Sequence, residues 1–298
     1  MKPIFLILIV LAFIAAVFAP IILGISNERA TQASATVIFG GDMMFDRYIR
    51  QVASVASEDF IFSCIYPTLR AADLVVANLE GPITDHEPVG GMAFTFPPST
   101  AALLAQHNIK IVNLGNNHSF DFGTEGVHST RAYLDAAGVM YFGFPEARVA
   151  TTSVGGIGLA LVNYNEFGDD TAAHVVSAIG ESRKEGLVPI VYAHWGEEYQ
   201  SATTQEKELA HAFVDAGAEL VVGSHPHVVQ EHELYHGENI YYSLGNFIFD
   251  QYFSDDVRQG LLLKILFSER GISGIEEIPI TLETDGRTCL PVSKNVFE

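Results

Sequence analysis

The chain has few cysteines and few basic residues, and each shortage excludes a class of function. Its 298 residues include only 2 cysteines, Cys64 and Cys289, which are too few and too far apart for a thiolate zinc cluster. The two either form a disulfide in an oxidising compartment or remain buried free thiols. Only 16 residues are basic against 36 acidic ones, and the net charge of -20 is unfavourable for contact with phosphates. We therefore expect no nucleic-acid partner.

Charge is also absent from one long stretch near the amino terminus. After Lys2, residues 4–25 form an almost purely apolar run that is long enough to span a bilayer. Because the apolar regions of signal peptides are shorter, we predict an uncleaved anchor over residues 1–25 and a linker over 26–35. A cleaved signal peptide is the alternative, since Ala33-Ser34-Ala35 has the spacing of a cleavage site. Lys2 favours a cytoplasmic amino end, which predicts a single-pass cell-membrane protein with an extracytoplasmic domain.

The remaining residues, 36–298, show no low-complexity tract or internal repeat, and we interpret them as one domain. Short apolar runs predict buried strands over 36–39, 74–77, 109–114, 159–163, 188–193 and 220–222. Helical spacing lies between them, over 99–107, 126–137, 171–184 and 204–216. This alternation predicts an α/β domain with a largely parallel sheet. Segments 228–235, 239–244, 261–267 and 272–280 predict antiparallel strands that complete a second sheet.

Side chains that can bind metal directly follow five of the predicted strands. They are Asp42, Asn78, Glu80, Asn117, His118, His194, His225 and His227. The carboxyl ends of parallel strands line one crevice, so we expect these residues to converge on a single site. The number of carboxylate, amide and imidazole ligands exceeds one tetrahedral shell and favours two divalent ions such as Zn, Mn, Fe or Ni.

Six short motifs follow one another over residues 36–250. They are Gly41-Asp42, Asn78-Leu79-Glu80-Gly81, Gly115-Asn116-Asn117-His118, His194-Trp195-Gly196, His225-Pro226-His227 and Ser243-Leu244-Gly245-Asn246-Phe247. In this order they resemble the capsule-synthesis (poly-γ-glutamate) CapA family, which is similar to the calcineurin-like metallophosphoesterases. The resemblance implies a four-layer α/β/β/α sandwich, here preceded by one membrane helix.

The resemblance also implies roles for individual side chains. The metal ligands would be Asp42, Glu80, Asn117, His194, His225 and His227, with Glu80 bridging two ions. His118 matches the position that protonates the leaving group in the phosphoesterases. Asp121, three residues later, would orient the His118 imidazole or cap a loop. Asn78 would bind metal or substrate, and Asn246 would contact the substrate.

Arg47 follows the first motif and has two possible roles in this interpretation. It would bind a substrate anion as a bidentate donor, or it would form a surface ion pair with Asp46 or another acid.

Two departures from the phosphoesterase pattern bear on activity. Those enzymes usually continue their first aspartate as Asp-x-His, whereas Asp42 is followed by Met43 and Met44. Glu80 stands where the second aspartate is expected. One imidazole ligand is therefore missing, and one of the two metal sites is expected to be weak or empty.

Three functions remain open on the sequence. The first is a membrane-anchored component of poly-γ-glutamate biosynthesis or export, acting on an anionic polymer or phosphoester alongside other membrane components of a synthesis complex. The second is a secreted metal-dependent phosphoesterase, and in either case a catalytic domain would be a hydrolase or transferase of the metallophosphoesterase type. The third is a non-catalytic scaffold in which metal assists polymer binding. Fold alone does not choose among them.

Overall fold

A computed structural model of the chain describes residues 34–144 and 147–291. Strands and helices alternate through both ranges, which confirms the predicted mixed α/β class. The four-layer stacking of the sheets and helices stays a prediction. Within the described ranges, no helix combines the length and apolar character needed to span a membrane. The predicted anchor at residues 1–25 lies outside them.

Fourteen strands and seven α-helices make up the described part of the chain. The strands are β1 (Ser34–Met43), β2 (Leu74–Leu79), β3 (Ile109–Asn113), β4 (Met140–Phe142), β5 (Val149–Val154), β6 (Ile157–Asn165), β7 (Val188–His194), β8 (Leu220–Ser224), β9 (His232–Tyr235), β10 (Glu238–Tyr241), β11 (Asn246–Ile248), β12 (Gln259–Ser268), β13 (Gly271–Leu282) and β14 (Thr288–Cys289). The α-helices are α1 (Arg47–Val55), α2 (Tyr66–Arg70), α3 (Ser99–Gln106), α4 (Gly123–Ala137), α5 (Ala172–Lys184), α6 (Thr204–Asp215) and α7 (Asp255–Arg258), and a 3₁₀ helix spans Glu58–Phe62.

The strands form two sheets, one of eight strands and one of six. The first has the order β14-β13-β12-β1-β2-β3-β4, and β11 also pairs with β1. Strands β1 to β4 run parallel, while β12, β13 and β14 each pair antiparallel with their neighbour. The second sheet has the order β5-β6-β7-β8-β10-β9. Its four central strands are parallel, and β5 and β9 pair antiparallel at its edges.

One topological prediction was wrong. The four carboxyl-terminal segments do not all complete the second sheet, because β12 and β13 extend the first sheet from β1 while only β9 and β10 join the second. The burial of β1 explains the difference. Val37, Ile38 and Phe39 are all fully buried, so this strand is covered on both faces and pairs along both edges.

Local sequence accounts for where the helices begin and end. Thr203 and Glu206 form a reciprocal capping box at the start of α6. Gly138, with φ 70°, ends α4 in the left-handed conformation that glycine adopts most readily. The helix boundaries lie within three residues of those predicted for 99–107, 126–137, 171–184 and 204–216.

A disulfide joins Cys64 to Cys289, which decides between the two states left open by the sequence. Cys64 lies between the 3₁₀ helix and α2, and Cys289 ends β14 at the edge of the first sheet. The bond spans a sequence separation of 225 residues. It therefore ties almost the whole described chain into one covalent loop.

The strand ends that carry the site come together because backbones approach very closely there. A Cβ atom added at Gly41 would lie 1.8 Å from the Gly245 carbonyl oxygen, and one at Gly223 would lie 1.7 Å from that of Tyr242. Only glycine permits these approaches. The sheets also touch each other directly, since the Tyr192 hydroxyl in β7 donates to the carbonyl oxygen of Gly40 in β1 at 2.5 Å.

Candidate functional site

A cluster of metal-binding side chains lies where strands from the two sheets end. Asp42 in β1, Glu80 just after β2 and His194 at the end of β7 each offer one ligand atom, and these atoms lie within 4.8 Å of one another. All three residues are fully buried. Two carboxylates and an imidazole this close and this far from water form a candidate metal site.

Both carboxylate oxygens of Asp42 accept hydrogen bonds. Its Oδ1 accepts a hydrogen bond from Asn78 Nδ2 at 2.8 Å, and its Oδ2 accepts one from the backbone N–H of His225 at 3.0 Å. Burial opposes ionisation, but hydrogen bonding to His227 and the charges of His227 and His194 hold the pKa of Asp42 below its ordinary value. Asp42 is therefore a carboxylate, the form that binds metal.

Glu80 lacks a partner for one of its oxygens. Its Oε1 is buried and accepts no hydrogen bond within the described residues, and His227 Nε2 is 3.5 Å away. Burial, together with the negative charge of Asp42, raises the pKa of Glu80 well above its ordinary value. A bound cation would satisfy the oxygen and favour the ionised form.

Asn78 lies at the centre of the cluster. Its Nδ2 is 2.8 Å from Asp42 Oδ1, 3.3 Å from Glu80 Oε2 and 3.4 Å from His194 Nδ1. Its Oδ1 accepts hydrogen bonds from Asn113 Nδ2 at 3.1 Å and Asn116 Nδ2 at 3.0 Å. Two further asparagines therefore orient the Asn78 amide so that it donates towards the carboxylates.

His194 connects the cluster to the loop after β3. Its Nε2 is 2.9 Å from Asn117 Oδ1, and its Nδ1 is 3.0 Å from Ser224 Oγ. Burial, followed by the charge of His225, lowers the pKa of His194 well below its ordinary value. A neutral imidazole is the form that coordinates metal.

His225 and His227 flank Pro226 in a turn after β8, and both have positive φ values, 100° and 57°. Such values are strained for non-glycine residues and recur at functional sites. His225 Nδ1 is buried without a hydrogen-bond partner in the described part of the chain. Burial and the charge of His227 lower the pKa of His225 to about 4. Its imidazole is therefore neutral at physiological pH.

His227 contacts both carboxylates of the cluster and one of the predicted substrate residues. Its Nδ1 is 3.0 Å from Asn246 Oδ1 and 3.4 Å from Asp42 Oδ2, and its Nε2 faces Glu80. Asn246 is held in turn, because its Nδ2 donates to the carbonyl oxygen of Val257 at 3.0 Å. Asn246 thus orients the His227 ring.

His118 lies beside the cluster in a separate hydrogen-bonded pair. Its Nδ1 is 2.9 Å from Asp121 Oδ2, and that oxygen also accepts from the backbone N–H of Phe94 at 2.7 Å. The ring of Phe94 packs on the His118 imidazole with 4.2 Å between centroids. Asp121 therefore orients the imidazole and also anchors the loop that carries Phe94.

Arg47 forms an ion pair with an acid, as one of its two possible roles required, and that acid is Asp250 rather than Asp46. The Asp46 carboxylate instead accepts from Arg50 Nε at 3.0 Å, and Arg47 Nη2 donates to Asp250 Oδ1. Neither Asp250 nor Phe94 was singled out from the sequence, and both approach the site from distant loops. Asn113 and Ser224 were also missed, although each lies at the end of a predicted strand, which was the available signal.

The residues in this cluster fit a bound divalent cation. Glu80 Oε1 and His225 Nδ1 are buried ligand atoms without hydrogen-bond partners in the described ranges, and each is a donor type that Zn, Mn, Fe and Ni accept. The ligand atoms of Asp42, Glu80 and His194 form the closest group. Asn117, His225 and His227 surround it through the contacts given above.

Fold and site together define a class of protein: an α/β domain in which strand ends from two sheets converge on a buried carboxylate–imidazole metal site. The chain belongs to the bacterial capsule synthesis protein PGA_cap family, whose model matches residues 36–251. It is 30% identical over 286 residues to the PGA biosynthesis protein CapA of Bacillus subtilis, covering 86% of this chain and 73% of that protein. It is 26% identical over 293 residues to the capsule biosynthesis protein CapA of Bacillus anthracis, covering 86% and 68%. The predicted family is confirmed.

Proposed function

We propose that this protein is a membrane-anchored, extracytoplasmic component of poly-γ-glutamate capsule biosynthesis or export that handles the polymer at a divalent-metal site. Family membership supports the biological role, because the two relatives above are named for PGA and capsule biosynthesis. The single observation that carries the chemical part is the fully buried group of Asp42, Glu80 and His194, with ligand atoms within 4.8 Å.

We propose sites for two divalent ions, one of them weakly occupied because the imidazole expected after Asp42 is missing. The ligands are Asp42, Glu80, Asn117, His194, His225 and His227. Metal bound there would supply Lewis-acid activation of a phosphoryl or carbonyl oxygen. The chain's own groups then divide the remaining work. His118, oriented by Asp121 through the 2.9 Å contact, holds the proton that a leaving group requires. Asn78 and Asn246 keep Asp42 and His227 aligned.

Two cavities lie near the cluster, each lined by an aromatic residue whose ring approaches a site histidine. A cavity of about 300 Å³ is lined by Asn116 and Phe167, and the Phe167 ring lies 4.3 Å from the His225 ring. A second cavity, of about 370 Å³, is lined by Tyr199, whose ring is 6.1 Å from that of His227.

Location outside the cytoplasm has two supports. The charge-free run of residues 4–25 is long enough for an anchor. The disulfide between Cys64 and Cys289 is the kind of bond that persists in oxidising compartments and is rare in the cytosol.

The test is metal analysis of the purified full-length protein combined with a substrate panel. We expect divalent metal bound in stoichiometric amounts and turnover of γ-glutamyl polymers or oligomers that stops when a chelator removes the metal. Metal-dependent binding without turnover would instead support the non-catalytic scaffold. Absence of bound metal would overturn the chemical part of the proposal.

A metal-dependent phosphoesterase is the second candidate. The His118–Asp121 pair favours it, because a carboxylate-oriented imidazole beside a metal site suits protonation of an alkoxide leaving group. Phosphomonoesters and phosphodiesters therefore belong in the same panel. Turnover confined to these compounds would replace the polymer with a phosphoester as the substrate.

A further inference from the structure

Arg47 has a backbone conformation that its neighbours impose. It is the first residue of α1, it has φ 50°, and its N–H donates to the side chain of Asp46 at 2.8 Å. A non-glycine residue in this region is strained, and such strain persists only where the surroundings determine it. The surroundings of Arg47 therefore hold its backbone, and with it the start of its side chain, in one place.

The Arg47 guanidinium lies against two aromatic rings, and each ring also contacts a histidine of the site. Its Cζ is 5.0 Å from the centroid of the Phe94 ring and 5.4 Å from that of Phe249. The Phe94 ring packs on His118 at 4.2 Å, and the Phe249 ring packs on His227 at 4.8 Å. Aromatic faces attract a cation. The two rings therefore keep the positive charge of Arg47 close to His118 and His227, with one ring between the guanidinium and each imidazole.

The Arg47 guanidinium has one nitrogen with a hydrogen-bond partner, Nη2, and one without a partner in the described residues, Nε. Nη2 donates to Asp250 Oδ1, while Asp250 Oδ2 accepts from the backbone N–H of Tyr48 at 3.1 Å. Nε is buried and has no hydrogen-bond partner among residues 34–144 and 147–291. A guanidinium carries five N–H groups in a planar fork, so donors remain for another acceptor. A purely structural ion pair would not require a buried donor to be left unsatisfied.

The negative charge around the site would repel an anionic substrate, and a nearby cation would offset that repulsion. The chain carries a net charge of -20, and the cluster itself contains Asp42 and Glu80. Arg47 lies near this cluster, because the Phe249 ring packs against both the guanidinium and His227. The side chain keeps 33% of its surface exposed and is therefore accessible to a ligand.

We propose that Arg47 recognises an oxyanion of the substrate, a carboxylate or a phosphate, beside the metal cluster, and that Asp250 is the positioning residue that orients its guanidinium. This inference rests on the proposed function. It adds that the substrate carries an anionic group next to the bond that reacts. A planar fork with free donors is suited to bidentate contact with either anion.

The test measures binding to the metal-loaded full-length protein by calorimetry with three probes. They are a γ-glutamyl oligomer with free α-carboxylates, the same oligomer with those carboxylates amidated, and phenyl phosphate. The variants are Arg47→Gln and Asp250→Asn, and the matched control is Arg70→Gln, whose exposed side chain stacks on Tyr66 in α2. Metal content is measured in parallel, and it should be equal in all four proteins.

We expect the unaltered protein to bind the free oligomer roughly 10- to 100-fold more tightly than the amidated one, as a charge-assisted contact predicts. Arg47→Gln should remove this preference, Asp250→Asn should reduce it, and Arg70→Gln should leave it unchanged. A merely structural role would weaken both oligomers equally. An unchanged preference in Arg47→Gln would overturn the inference while leaving the proposed function intact.

Phenyl phosphate separates the two sources of the anion. Binding of phenyl phosphate alone, lost in Arg47→Gln, would support the oxyanion site and reject the polymer as its substrate. If the unaltered, metal-loaded protein binds none of the three probes, both the inference and the proposed function are wrong.

Discussion

Asn117 Oδ1 lies 2.9 Å from His194 Nε2, although 77 residues separate them in the sequence. Asn117 follows β3 of the first sheet, and His194 ends β7 of the second. The contact closes the cluster across the line where the two sheets meet. A site assembled in this way requires residues from both sheets. Substitutions of its central residues should therefore lower metal affinity.

Replacing Glu80 with Gln, or His225 with Ala, should sharply lower metal content. Each residue offers a buried ligand atom that has no other partner in the described chain. Because removing mere supporting partners of a metal site already costs about 10- to 100-fold in affinity, loss of a ligand should cost at least as much. Elemental analysis of the purified variants measures it.

The control is His232→Ala, since His232 lies in β9 at the edge of the second sheet and stacks on Tyr241. This variant should keep its metal. Equal loss in all three variants would mean that the metal lies elsewhere.

The raised pKa of Glu80 predicts that metal binding releases a proton. Burial and the Asp42 carboxylate favour the protonated form in the metal-free pocket, and a cation must displace that proton. As pH rises above the ordinary carboxyl range and through the raised pKa of Glu80, the competition disappears, so apparent affinity should increase with pH across that range. His225, with its pKa lowered to about 4, is already neutral there and should add no proton.

Calorimetry of Zn²⁺ binding in buffers of different ionisation enthalpy counts the protons released. Glu80→Gln should release about one fewer than the unaltered protein. Affinity that is independent of pH in this range would show that Glu80 is ionised before metal binds.

Much of this site could be anticipated from the sequence, because apolar runs ending in polar residues imply parallel strands whose tips share one edge. Asp42, Glu80 and His194 follow that logic, and they form the closest group of ligand atoms in the described chain. Contacts between distant loops could not be anticipated. The pairing of Arg47 with Asp250 joins residues 203 apart, and no local pattern encodes it.

The division of the carboxyl-terminal strands between the sheets was also beyond the sequence. Apolar segments that follow one another with turns between them predicted that β12 and β13 are strands, but such segments carry no information about which sheet they join. That choice depends on a partner distant in sequence, because β12 pairs with the edge of β1 opposite β2.

Removing the disulfide should lower stability without altering the metal site. The double variant Cys64→Ser, Cys289→Ser removes a cross-link between residues 225 apart in the sequence. Such cross-links typically contribute about 2–4 kcal/mol to the free energy of unfolding. Thermal unfolding of the double variant should therefore begin several degrees lower, about 2–4 °C per kcal/mol for a domain of this size. Reductant should lower the melting temperature of the unaltered protein similarly and leave the double variant unchanged.

The proposed anchor makes a prediction about fractionation. A charge-free run of residues 4–25 is costly to leave in water, so the full-length protein should sediment with membranes and resist extraction by salt. Detergent should release it. A soluble form outside the cytoplasm with a new amino terminus near Thr36 would establish the cleaved signal peptide instead.

His118→Asn should abolish turnover while the metal remains bound. A positioned acid contributes roughly 10²- to 10⁴-fold to the rate. His118 Nδ1 is bonded to Asp121 at 2.9 Å, and its ring is packed against Phe94, so its contacts differ from those of the ligand cluster. Asparagine preserves some hydrogen bonding but cannot transfer the proton.

Asp121→Asn is the matched variant, because it keeps the size of the side chain that orients the imidazole and removes its charge. Its loss in kcat should be smaller than that of His118→Asn, and its metal content should be unchanged. Activity and metal content are measured on the same preparations of both variants. If His118→Asn retains full activity, another residue is the acid. If it loses metal together with activity, His118 is a ligand, and the division of roles between it and its neighbour Asn117 is wrong.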